Sequence, residues 1–261
     1  MRPRGKIVIA AAVAAAAVAG GTTVAVVNAG SAKAVADGAP AVHRVYPFSV
    51  KFTMTNIPRP DGTTYDSACS GSLIAPQWVI TAGHCFHDVN RHPVSGPPRY
   101  ATTAILGKDD LSQRGGDTLS VIDVRQAGVN DIALAELSAP VTGVAPLRLA
   151  TTAPTVGERL ELAGWGATSS VNPTPSTHLN LGRVAVISVA ATTVGVHGVA
   201  PHADTSACVY DSGAPYFLPR GPWHGILVSV ESNGPDCPHT SPETTSRVDV
   251  IASWIGRQIA G

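Results

Sequence analysis

Three short segments of this 261-residue chain carry side chains that together support acyl transfer. Ser212 sits in Tyr210-Asp211-Ser212-Gly213-Ala214-Pro215, just after Cys208; His84 lies in Thr81-Ala82-Gly83-His84-Cys85; Asp131 lies in Asn130-Asp131-Ile132-Ala133-Leu134. A serine hydroxyl is a weak nucleophile at neutral pH and needs a base beside it. A histidine takes that proton and returns it to the leaving group. An aspartate holds the imidazole in one tautomer and offsets the charge it gains. Each segment also has a structural reading: Asp-Ser-Gly is ordinary turn chemistry, Asp131 an Asx cap before a strand, and His84 a core histidine.

The order His84, Asp131, Ser212 resembles that of the trypsin/chymotrypsin-like serine peptidases. The resemblance covers nearly all of the chain after residue 34. It extends to Ser70-Gly71-Ser72-Leu73-Ile74 before Trp78-Val79-Ile80-Thr81-Ala82, to Ala163-Gly164-Trp165-Gly166, and to Asp249-Val250-Ile251-Ala252-Ser253-Trp254-Ile255. It implies an all-β fold of two six-stranded antiparallel barrels with a C-terminal helix, residues 35–145 forming the first barrel and 146–261 the second. It also implies a secreted, bacterial-type serine endopeptidase with a divergent nucleophile loop, acting on polypeptides or bound by a protein inhibitor as a monomer. His84, Asp131 and Ser212 would be catalytic, and the N–H groups of Tyr210 and Ser212 would form the oxyanion hole. Ser229 would donate a hydrogen bond to Asp131.

The elements that position these groups are strands. Abundant glycine and proline, 26 and 21 residues, with 5% aromatics, point to many short strands joined by turns. Residues 45–54 alternate, with Phe48, Val50, Phe52 and Met54 on one face. Strands are expected at 69–74, 78–81, 100–106, 119–124, 132–137, 159–163 and 179–189, and in the apolar run 226–230 after Ser212. Residues 86–98 read as a surface loop in which His87 and His92 are solvated. The loop 189–205 has no cysteine to hold it. Over 247–259 the period changes: Val248, Ile251, Ala252, Ile255 and Ile259 share a helical face, expected to pack outside the second barrel.

The chain begins differently. Arg2, Arg4 and Lys6 precede a long alanine- and valine-rich run, and Ala32-Lys33-Ala34 has the small-x-small form of a signal-peptidase site. Residues 1–34 read as an export signal, with a cut after Ala29 as the alternative site and a retained membrane anchor as the alternative role. Removing 1–34 takes away four basic and no acidic residues, leaving 14 lysines and arginines against 18 acidic residues. That balance suggests no nucleic-acid partner, and cleavage of the leader implies no stable membrane association afterwards. A cut after Ala34 frees Val35, whose amino group, by the resemblance, would enter the protein and pair with Asp211. Four cysteines allow three connectivities or a metal site. None of them is paired at close ligand spacing, and no metal or cofactor is expected. The resemblance selects Cys69 with Cys85 and Cys208 with Cys237, suited to an oxidising compartment.

Departures from the family pattern cluster at the site. Glycine gives way to Tyr210, whose side chain restricts the backbone that aims the oxyanion N–H. Ser206 stands where peptidases that cut after lysine or arginine carry an aspartate. Glu231 falls in the pocket wall, and Glu243 replaces a glycine at its far side; each either draws a basic side chain, fills the pocket, or turns to solvent. A catalytically silent binding homologue and a small-ester hydrolase are the competing readings.

Overall fold

The computed structural model describes residues 35–221 and 223–260. The proposed export segment, 1–34, lies outside the described residues. Fourteen strands follow in order: β1 Ala39–Pro40, β2 Ser49–Pro58, β3 Thr64–Ala75, β4 Trp78–Thr81, β5 Ala101–Leu106, β6 Asp117–Gln126, β7 Ala133–Leu137, β8 Arg148–Leu149, β9 Arg159–Gly164, β10 Asn180–Val189, β11 Thr193–Ala200, β12 Pro215–Pro219, β13 Gly225–Asn233 and β14 Glu243–Arg247. Helix α1, Ala252–Ile259, ends the described chain.

Strands β2-β3-β4-β7-β6-β5 close into a six-stranded antiparallel barrel. The second barrel runs β9-β10-β11-β14-β13-β12 and closes because β12 pairs with β9. The first barrel obeys the alternation of its sequence. Phe48 leads into β2, whose Val50, Phe52 and Met54 point inward and are all buried. The barrels meet through aromatics: Phe217 of β12 stands edge-on to Phe48 and Tyr46, with ring centroids 5.2 and 4.8 Å away. Edge-to-face pairs of this kind contribute about 0.5–1.5 kcal/mol each beyond their burial.

Several elements differ from the sequence-based expectation. The 189–205 loop contains β11, and β12 and β14 add two more strands. Glycines at 195 and 198 break the alternation of β11. One of them is forced by packing, since a Cβ at Gly198 would collide with the Thr205 backbone. Strand β14 reads Glu-Thr-Thr-Ser-Arg and shows no apolar period, yet Glu243, Thr245 and Ser246 are buried because this part of the barrel interior is polar. Helix α1 buries Ile255 and reaches the first barrel as well: the Gln258 carbonyl accepts from Arg125 of β6, whose guanidinium lies 4.4 Å over the Trp78 ring.

Candidate active site

Strand β4 pairs with β7 and delivers the chain to a 3-10 turn, Gly83–Cys85, carrying His84. The Cys69–Cys85 disulfide fastens that turn to β3. Gly83 has a steric reason: a Cβ there would lie 2.7 Å from Gln126 Oε1 and 3.1 Å from Asp131 Oδ1. Asp131 sits just before β7, in a loop tied to the second barrel by Asn130, whose side-chain amide donates to the Arg247 carbonyl at 2.8 Å.

Ser212 follows Cys208, which is paired with Cys237. Its loop is docked on the first barrel, where the Ser70 N–H donates to the Ser212 carbonyl at 2.9 Å. Gly213 has φ +89°, and a Cβ on it would meet the Ser70 carbonyl, the Thr81 hydroxyl and the Ala82 N–H. Only glycine satisfies both the dihedral and the close approach.

These elements bring His84, Asp131 and Ser212 into one hydrogen-bonded chain. Asp131 Oδ2 lies 2.7 Å from His84 Nδ1, Asp131 Oδ1 accepts the His84 backbone N–H at 2.8 Å, and His84 Nε2 lies 2.9 Å from Ser212 Oγ. Burial pushes the Asp131 carboxyl up, but hydrogen bonds from His84 and Ser232 and the charge of His84 outweigh it and hold the group below its usual range. An ionised Asp131 is an acceptor only, so Nδ1 carries the imidazole proton and Nε2 is left to accept from the serine hydroxyl.

The extra donor to Asp131 is a correction to the sequence reading. Ser232 Oγ donates to Asp131 Oδ2 at 2.7 Å, whereas Ser229 is fully buried and its Oγ accepts from Thr245 Oγ1 at 2.8 Å. The β13–β14 register slips between Glu231 and Asn233, and this bulge places Ser232 outside the barrel. Two serines three residues apart gave no sequence signal for which one would escape.

Tyr210 has φ +75°, in the left-handed region. The backbone therefore takes up a glycine-like conformation despite the side chain, at a cost of about 1–2 kcal/mol. Its carbonyl accepts from Ser70 Oγ at 3.2 Å, and its hydroxyl reaches the Pro173 carbonyl at 3.5 Å. Among the described residues, neither the Tyr210 nor the Ser212 N–H donates to a protein acceptor. Asp211 turns inward and is fully buried, accepting from the Gly166 N–H at 2.7 Å and the Cys208 N–H at 3.0 Å. Burial, offset in part by those bonds and one from the Val35 backbone, pushes its carboxyl up to about 7. Val35 is itself completely buried, packed where Cβ atoms on Gly164 or Gly182 would touch it.

Beside Ser212 lies a cavity of about 230 Å³ whose lining includes His84, Ala207, Val209, Glu231 and Asn233. Of the expected pocket residues, Glu231 lines it. Ser206, Ser229 and Glu243 do not: each is buried behind the wall, Ser206 accepting the His239 N–H at 3.2 Å. Neither glutamate turns to solvent, Glu231 being 4% and Glu243 2% exposed. They share one hydroxyl, with Tyr216 Oη 2.8 Å from Glu231 Oε2 and 2.5 Å from Glu243 Oε2. Glu243 Oε1 also accepts the Ala207 N–H at 2.5 Å and faces His239 Nε2 at 3.6 Å. Burial, then the neighbouring Glu243, drive the Glu231 carboxyl well above its usual range; burial pushes Glu243 to about 7. Tyr216 gave no sequence signal, since it reads as one more apolar strand residue.

Two closed barrels with a catalytic-type Ser-His-Asp geometry between them define a chymotrypsin-like fold. The chain matches the family model "Trypsin" over residues 35–255, and it belongs to that family. It is similar to a protein C activator of Agkistrodon piscivorus leucostoma, 28% identical over 208 residues spanning 75% of this chain and 79% of that one. It is similar to proproteinase E of Bos taurus, 29% over 219 residues, 75% and 85%, and to trypsin alpha of Drosophila melanogaster, 27% over 206 residues, 72% and 76%. None of these three relatives is bacterial, so they lend no support to a bacterial-type member.

Proposed function

We propose that this chain is a secreted serine endopeptidase that hydrolyses polypeptides through an acyl-enzyme on Ser212. The observation that carries the reading is the unbroken hydrogen-bond chain from Asp131 through His84 to Ser212 Oγ. In the first step Ser212 Oγ attacks the scissile carbonyl carbon while its proton passes to His84 Nε2. Asp131 stays ionised and stabilises the imidazolium. The developing oxyanion is met by the Tyr210 and Ser212 N–H groups, which among the described residues have no protein acceptor to give up. His84 then protonates the leaving amine, and water releases the acyl group by the reverse sequence.

The reading as a silent binding homologue rests on Tyr210, Ala214 and the pocket glutamates. Tyr210 lies in the left-handed backbone region a glycine would supply, so its part of the objection loses its physical basis. Export follows from residues 1–34, and the two disulfides suit an oxidising compartment. Among the described residues no helix is long and apolar enough to cross a membrane. Cleavage after Ala34 would leave Val35 as the first residue, its ammonium beside the Asp211 carboxylate. Hydrolysis of a casein substrate by the secreted protein, lost in Ser212→Ala with the fold retained, tests the proposal; equal hydrolysis by the mutant contradicts it.

A further inference from the structure

Ser70 is fully buried in β3, and each of its polar groups is committed at the candidate active site. Its N–H donates to the Ser212 carbonyl at 2.9 Å, and its carbonyl accepts from Thr81 Oγ1 at 2.7 Å. Its hydroxyl oxygen lies 3.0 Å from the Trp165 backbone nitrogen and 3.2 Å from the Tyr210 carbonyl. The Trp165 N–H can only donate, so Oγ accepts there and its single proton points to the Tyr210 carbonyl. One residue therefore holds the carbonyls of both Tyr210 and Ser212, whose N–H groups meet the oxyanion.

The contact with Tyr210 acts where the backbone is strained. A φ of +75° is unfavourable for a residue with a side chain, and it persists only where the surroundings hold it. The peptide unit linking Tyr210 to Asp211 is pinned at both ends: the Asp211 N–H donates to the Cys208 carbonyl at 2.9 Å, and the Tyr210 carbonyl accepts from Ser70. With that unit fixed, the left-handed φ sets where the Tyr210 N–H points. The strain and one buried hydrogen bond are of the same size, so this bond is enough to tip the balance. The hold from the side chain is weaker, the Tyr210 hydroxyl reaching the Pro173 carbonyl only at 3.5 Å.

We propose that Ser70 is a positioning residue for the oxyanion hole: its hydroxyl keeps Tyr210 in the left-handed conformation that aims the Tyr210 N–H at the oxyanion. The inference rests on the peptidase reading above. Without the hydroxyl, the Tyr210 carbonyl turns away and φ relaxes to the negative region, carrying the N–H off the reacting centre. Ser70→Ala keeps the backbone N–H on Ser212 and removes only Oγ. It also strips the Trp165 N–H of its acceptor, and a Tyr210→Gly background separates the two effects. Glycine adopts a positive φ unaided, whereas the Trp165 N–H is left bare in either background.

Kinetics on a peptide amide test this. Ser70→Ala should lower kcat at least about tenfold with KM changed less than about twofold, a part of the loss expected when an oxyanion donor is removed altogether. In a peptidyl trifluoromethyl ketone adduct on Ser212, the pKa of the hemiketal hydroxyl, followed by fluorine NMR, should rise by about one for each tenfold lost. A merely structural contact would not move that pKa. The loss in kcat should shrink to less than about threefold in Tyr210→Gly protein. An unchanged kcat, a loss confined to KM, an unmoved hemiketal pKa, or a loss equally large in the Tyr210→Gly background overturns the proposal. Should Ser70→Ala fail to fold, the same substitution in Tyr210→Gly protein decides: a folded, active double variant supports the proposal, and one that also fails to fold overturns it. Crystal structures give a readout independent of activity, with Tyr210 φ positive in the unaltered protein and negative in Ser70→Ala. If the unaltered protein cleaves nothing while φ changes in this way, the peptidase reading fails and the hold of Ser70 on Tyr210 stands. Cleavage in which neither φ nor kcat responds to Ser70→Ala does the reverse.

Discussion

Freeing the Val35 amino group should change how stability depends on pH, and Asp211 gives the size of the change. In the continuous chain this fully buried carboxyl has, among the described residues, only backbone N–H donors, and its pKa rises from an ordinary 3.8 to about 7. A folded pKa above the unfolded one means that the favourable contribution is complete below pH 3.8 and is lost as pH rises through 7. The shift corresponds to about 4 kcal/mol between those limits. A chain beginning at Val35 places an ammonium beside Asp211, which draws the carboxyl back toward its ordinary range and removes that loss. The ammonium's own pKa is then raised above its usual value of about 7.7–8.0, so its contribution persists at neutral pH and fades only in alkali. Glu231 and Glu243 also carry raised pKa values; they are present in both forms, so the part of their titration that does not depend on Asp211 cancels in the difference. Urea unfolding of the two forms from pH 4 to 9, both as Ser212→Ala to prevent self-digestion, reads the effect. The curves should diverge progressively from about pH 4 and level off above pH 7, by then a few kcal/mol in favour of the processed chain, and Asp211→Asn should flatten the curve of the unprocessed one. Superimposable profiles would refute the pairing of Val35 with Asp211.

Other outcomes follow from single contacts. Tyr210→Gly should raise stability by about 1 kcal/mol by relieving the left-handed φ, with turnover on an activated ester changed less than tenfold; a far larger increase would mean the Tyr210 N–H is misaimed. Ser232→Ala removes a hydrogen bond to an ionised carboxylate, a contact worth about 1.5–3 kcal/mol, and should lower kcat at least tenfold with KM little affected. An unchanged kcat would restrict Ser232 to structure. Gly213→Ala puts a Cβ against the Ser70 carbonyl and should abolish both activity and the native thermal transition, which calorimetry and hydrolysis together would detect.

The catalytic-type residues were legible because each sits in a short segment whose neighbours are fixed by local geometry. Gly83 is needed where its turn packs against Gln126 and Asp131 of the same barrel, and Gly213 where the second barrel's backbone approaches the first. Strand β4 was readable at its true bounds, being apolar and fully buried, while β3 begins five residues earlier than its apolar part suggests. What the sequence concealed was the polar interior of the second barrel. Hydrophobic alternation finds apolar cores, and it fails where Glu231, Glu243 and Tyr216 satisfy one another, and Thr245 pairs with Ser229, out of water. For the same reason Ser229 and Ser232 could not be told apart, since a bulge decides which faces Asp131.

The central claim is that Ser212 is a nucleophile activated by His84. Incubation of the secreted protein with a fluorophosphonate, followed by intact mass and peptide mapping, tests it most directly. A single adduct on Ser212 is predicted, formed in the unaltered protein, absent in Ser212→Ala, and slowed by at least about a thousandfold in His84→Ala. A folded protein that stays unlabelled, or an adduct on another residue that survives Ser212→Ala, would contradict the account.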